Sequence, residues 1–89
     1  MNDRSNRFLH QLGQLVCQRR QKIGLSQEQL AQRAGMHRAY ISDFERGGRN
    51  LTVGSLRRIA DALRVKLPVL LKSAELKRDD ISETHAQAG

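Results

Sequence analysis

The sequence predicts an all-α fold, a compact bundle of five helices, and three observations predict it. Apolar residues recur three and four positions apart along most of the chain, the period of a half-buried helix. Nowhere do Val, Ile, Tyr or Phe alternate with polar residues as a half-exposed strand requires. Aromatic residues are only 3% of the chain against 38% apolar overall, so the core is built from Leu, Ile, Val and Ala. A chain of 89 residues is one small domain. At that size roughly 60–65% of the unfolded chain's surface is buried, which leaves no room for a deep catalytic cleft beside a core.

Each element follows from its own punctuation. Phe8, Leu12, Leu15, Val16 and Ile23 share one face of a first helix over 7–23, and Gly24 stands where a left-handed stop belongs. Ser26, with Gln29 three positions on, forms a capping box that opens a second helix over 27–34. Leu30, Ala31 and Ala34 make its inner face. Gly35 supplies a positive φ at no steric cost, so the chain leaves this helix and enters the next at a steep angle. The small Ala31 lets the two helices approach closely.

A third helix over 38–46 turns Ile41 and either Phe44 or Glu45 inward, and Arg38, Ala39, Ser42, Asp43 and Arg46 outward. Gly47 and Gly48 end it. Thr52 caps a fourth helix over 53–63 with an apolar stripe of Val53, Leu56, Ile59, Ala60 and Leu63. The "LPVLL" segment reads as a short fifth helix, with Pro68 tolerated in its first turn. Residues 1–6 are expected to be a flexible arm, 7–71 the folded domain, and 72–89 a polar tail, partly helical or disordered.

Charge narrows the function. The formal net charge is +7, with 13 basic and 5 acidic residues in 1–71 and 3 basic and 4 acidic in 72–89. The excess sits on the folded part, where a basic field favours polyanions such as nucleic acid or an anionic membrane. No apolar run approaches the roughly 20 residues of a spanning helix, and the opening "MNDRSNRF" has no signal-like stretch. A cytoplasmic protein without a membrane role is expected. Cys17 stands alone, which suits a reducing compartment, and His10, His37 and His85 lack metal-ligand spacing. No cofactor or metal is expected. No nucleophile, base and orienting group occur together, so the chain is not expected to be an enzyme.

The segment "LSQEQLAQRAGMHRAYISDFERGGRNLTVGSLRRIADALRV" strongly resembles the phage-repressor and Cro-type helix-turn-helix family, also called the xenobiotic-response-element family. The carriers are the "LSQEQLA" opening, the spacing of Ala31 and Gly35, the "YIS" and "ERG" runs, and the "LRRIADAL" helix. The resemblance covers about Leu12 to Leu71. It implies a lambda-repressor-like DNA-binding domain, a transcriptional regulator acting as a repressor, whose third helix enters the major groove of double-stranded DNA.

The chemistry of the outward residues agrees with that expectation. The Arg38 guanidinium can donate two parallel hydrogen bonds to guanine, and Ala39 can touch a thymine methyl. Ser42 and Asp43 are further candidates for base edges, with the rival reading that Asp43 orients Arg38 or Arg46. Gln27, His37 and Tyr40 are candidates for phosphate contact, Tyr40 with packing against the second helix as its rival. The resemblance places Arg46, Arg49 and Asn50 on a loop beside the sugar-phosphate chain. It also pairs Arg20 with Glu45 as a structural tie, with Arg20 free to lean toward a phosphate as well.

The sequence departs from the family pattern at Arg64, where glycine is common, at Lys66, where a small capping residue is usual, and at Gly54. Leu67, Val69, Leu70 and Leu71 cannot all face one small core, and the fifth helix of the family commonly supplies a two-fold contact. A homodimer is therefore expected, reading an inverted-repeat operator. The alternative is an antitoxin-like or adaptor module that binds an unknown protein partner through its C-terminal tail, with Leu76 and Ile81 as anchors.

Overall fold

The computed structural model describes residues 3–76, with side chains from residue 6 onward. Four helices run Asp3–Lys22 (α1), Gln27–Ala34 (α2), Arg38–Glu45 (α3) and Val53–Ala62 (α4), and a fifth (α5) occupies 67–76. No strand occurs among the described residues. The five helices pack around one apolar core in which α2 contacts both α3 and α4, and α1 contacts α3. Phe44, Leu12, Leu30, Ile41, Ile59, Leu63 and Val16 are its largest fully buried side chains. Each contributes about 1.5–3 kcal/mol by leaving water.

The first four helices end in the same way, and this sets how closely they follow one another. At each end a backbone N–H reaches back five residues, Leu25 to Arg20, Met36 to Ala31, Gly48 to Asp43 and Val65 to Ala60, at 2.9–3.0 Å. This closure requires a left-handed residue just before the donor. Gly24, Gly35 and Gly47 supply it, with φ of 78°, 68° and 77°. At the fourth end Arg64 takes the same conformation with φ 60°. The departure from glycine therefore leaves the turn intact and puts an arginine into a region that costs L-residues free energy.

Three expectations need correction. The first helix starts at Asp3, four residues before its expected start at residue 7. These residues are polar and leave no apolar period to read, but a helix nucleated by a packed stripe extends through polar residues at little cost. Val53 is 71% exposed and lies off the α4 stripe, because it occupies the first helical turn, beyond the reach of the core. Leu70 is buried in the core, not left for a partner, and Ala74, expected in the tail, is buried too. The reason is that α5 runs on through residue 76, which brings Leu70 and Ala74, four apart, onto one inward face. Residues 77–89, including Ile81, lie outside the described residues.

Candidate nucleic-acid interface

The interface is built on α2, α3 and the loop after α3. The Ser26 hydroxyl accepts from the Gln29 N–H at 3.0 Å while the Gln29 side chain accepts from the Ser26 N–H at 2.8 Å. This reciprocal cap fixes the start of α2 and places Gln27 beside the end of α3. The Gln27 amide then donates to Glu45 Oε1 at 3.0 Å. One Gln27 amide N–H is thereby committed, and the other stays available to a further acceptor.

Beneath Gln27 lies the tie between α1 and α3. Arg20 donates from Nε to Glu45 Oε2 at 2.7 Å, from Nη2 to Oε1 at 3.0 Å, and from Nη1 to the Leu25 carbonyl at 2.8 Å. Both side chains are buried. Arg20 is thus spent inside the protein and does not lean toward a phosphate. Burial pushes the Glu45 carboxyl up, but the hydrogen bonds from Arg20 and Gln27 and the Arg20 charge together hold it below the usual carboxylate range.

The turn between α2 and α3 is locked from outside. Arg58 of α4 donates from Nε to the Ala34 carbonyl at 2.8 Å and from Nη2 to the Gly35 carbonyl. Those carbonyls are at the C-terminal end of α2, where a cation is favoured. A Cβ on Gly35 would lie 2.8 Å from the Arg58 guanidinium, the movable end of a flexible side chain, so it is the positive φ that calls for glycine there. Sequence periodicity does not find Arg58, because a side chain bonding carbonyls on a distant helix leaves no local trace.

On this frame α3 buries Ile41, Phe44 and Glu45 and exposes Arg38, Ala39 and Tyr40. Both Phe44 and Glu45 turn inward. His37 sits at the N-cap in extended backbone without a side-chain cap bond, so its imidazole is exposed and uncommitted to the helix. Ser42 and Asp43 are half-buried, and Arg46 and Asn50 are exposed. Asp43 pairs with Arg46 and, at 3.4 Å, with Arg49, and not with Arg38. The Arg49 guanidinium lies over the Tyr40 ring at 4.2 Å from its centroid. Tyr40 therefore packs against an arginine of the following loop rather than having only α2 as its neighbour.

The remaining expected site residues fall elsewhere. Leu67 and Leu71 are half-buried on α5, and Val69 and Leu76 are 52% and 49% exposed. Cys17 is half-buried, and burial together with the Glu45 charge pushes its thiol up. Among the described residues no helix is long and apolar enough to cross a membrane.

Known proteins share this arrangement. The helix-turn-helix family HTH_3 matches residues 18–70. Control protein C.SmaI of Serratia marcescens is 47% identical over 55 residues, 62% of this chain and 66% of that protein. Control protein C.BamHI of Bacillus amyloliquefaciens is 47% identical over 60 residues, 66% of this chain and 74% of that protein. Among solved structures, the restriction-modification controller protein C.AhdI from Aeromonas hydrophila superposes with a TM-score of 0.68 at 37% identity, covering 70% of this chain and 94% of that one. The chain belongs to the helix-turn-helix family, a family of sequence-specific DNA-binding transcriptional regulators and not of enzymes.

Proposed function

We propose that this regulator acts as a control protein, reading an operator by laying the outward face of α3 in the major groove. The observation that carries the reading is the division of α3: Ile41, Phe44 and Glu45 are fixed in the core while Arg38, Ala39 and Tyr40 stand exposed in its first turn. Arg38 and Ala39 read base edges, and Ser42, half-buried, reads one only where the groove comes close. Gln27, His37, Tyr40, Arg46, Arg49 and Asn50 hold the sugar-phosphate chain. Asp43 is removed from the base-reading set, since its carboxylate is occupied by Arg46 and Arg49.

The apolar surface of α5 supports a homodimer, with Val69 and Leu76 exposed and Leu67 and Leu71 at its margin. A two-fold axis through it sets two copies of α3 about 34 Å apart, one turn of duplex, and so selects an inverted repeat. The relatives are named as control proteins, which lends nothing to an antitoxin-like alternative. Titration of the full chain into duplexes selected from a random pool, at two salt concentrations, tests the reading. Selected sites with two symmetric halves and affinity falling steeply with salt support it; binding of no duplex at low salt overturns it.

A further inference from the structure

The surface proposed to meet DNA carries an acidic residue at its centre, and its partners are informative. One Asp43 oxygen accepts from Arg46 Nη2, and the other accepts from Arg49 Nη2 at 3.4 Å. Arg46 also reaches the Ser42 hydroxyl at 3.4 Å, and Arg49 is stacked 4.2 Å from the Tyr40 ring centroid. The cluster is incompletely satisfied, because Arg49 Nε is buried without an acceptor. A carboxylate between two guanidinium groups offers the same pair of anionic oxygens that a phosphate offers.

We infer that Asp43 is an internal competitor for the DNA phosphate, a positioning residue that holds Arg46 and Arg49 in the free protein and sets how tightly the chain binds DNA of any sequence. The inference rests on the DNA-binding reading above. A phosphate approaching Arg46 or Arg49 exchanges one anion for another and meets the repulsion of the displaced carboxylate. Such an exchange gains less than contact with a free arginine. The pairs are exposed enough that each is worth at most about a factor of five, so the exchange proceeds but lowers affinity. The unpaired Nε of Arg49 favours opening, since a phosphate brings further oxygens to it. Because the contacts are to the backbone of DNA, Asp43 acts on operator and unrelated sequence alike and leaves base preference to Arg38 and Ala39.

The test uses the full chain with Asp43→Asn, Asp43→Ala and, as a control for net charge alone, Asp61→Asn, the exposed acidic side chain of α4. Each is titrated with a selected operator and with a scrambled duplex of equal length across a salt series. Thermal unfolding checks that the variants are folded. The expected result is that both Asp43 variants bind both duplexes on the order of tenfold more tightly at low salt, with a salt slope steeper by about one. Asp61→Asn should change affinity by less than about twofold. Unchanged affinity of the Asp43 variants, a gain equalled by Asp61→Asn, or weaker binding confined to operators with one particular base pair would overturn the inference and leave the DNA-binding reading standing. Failure of the unaltered chain to bind either duplex at low salt would overturn both.

Discussion

The Arg20 guanidinium of α1 and the Glu45 carboxylate of α3 meet through two hydrogen bonds, at 2.7 and 3.0 Å, with Leu25 and Gln27 satisfying further donors and acceptors. The angle at which α3 is held, and so the face it offers, depends on this contact. A buried pair of this kind adds little over a well-packed apolar one, but removal of one member strands the other charge at about 3–5 kcal/mol. Glu45→Ala is expected to lower stability by that amount in urea denaturation. A loss below about 1 kcal/mol would mean that water reaches Arg20 readily and that the pair does not fix the helices.

The same pair gives stability a pH dependence of known sign. Glu45 in the folded chain titrates below the ordinary carboxylate range, so as acid is added the unfolded chain takes up the proton first. Its contribution is fully present above the unfolded value, about 4.3, and is lost as pH falls through the folded one. Between pH 6 and pH 3 the parent chain should therefore lose more stability than Glu45→Gln. Equal losses in parallel denaturation series would show that the Glu45 carboxyl is unperturbed.

Much of this was legible in the sequence, and the parts that were not have physical causes. Ser26, Gln29 and Gly35 act through neighbours a few positions away, so the bounds of α2 and the turn into α3 follow from local pattern. Arg58 on Ala34, Arg19 on Leu63 and Arg49 on Tyr40 act across the fold, and no local period encodes them. Leu70 shows a third case. Its apolar neighbours suggested a surplus for a partner, but α5 extends far enough to bury one of them and leave Val69 outside. The exposure of Arg38 and Ala39 supports the base-reading roles proposed for them.

Gly13 is a position whose importance only packing reveals. It lies inside α1, where glycine weakens a helix, yet a Cβ there would stand 2.3 Å from the Phe44 carbonyl oxygen and 3.0 Å from that of Glu45. Its absence of a side chain lets α1 approach the backbone of α3. Gly13→Ala should gain about 0.5–1 kcal/mol of helix propensity and lose more, about 1–3 kcal/mol, through overpacking. Lowered thermal stability is expected; a stabilised variant would show that α1 and α3 slide apart without cost.

Two arginines separate base reading from backbone holding. Arg38→Ala is expected to cost about 1–3 kcal/mol on the selected operator and to relax preference at one base pair. Arg49→Ala should weaken binding to every duplex alike and reduce the salt slope by about one. Competition binding against a set of single-base-pair variants distinguishes them. Site preference left intact by Arg38→Ala would remove that residue from the base-reading set.

Arg64 offers a stability gain that touches neither surface. It closes the end of α4 with φ 60°, where three other helix ends use glycine. Its side chain is exposed, and its carbonyl, accepting from Arg19 Nη2 at 3.4 Å, is available to any residue. The left-handed region costs an L-residue roughly 1–2 kcal/mol. Glycine removes that cost but brings more freedom to the unfolded chain, which returns about 0.4–1 kcal/mol of it. Arg64→Gly should therefore stabilise by about 0.5–1 kcal/mol, a rise of roughly 2–8 °C in Tm for a domain of this size. Arg64→Val, β-branched and least suited to positive φ, should move Tm the other way. If both variants shifted Tm in the same direction, the left-handed closure at the end of α4 would not be what limits this turn.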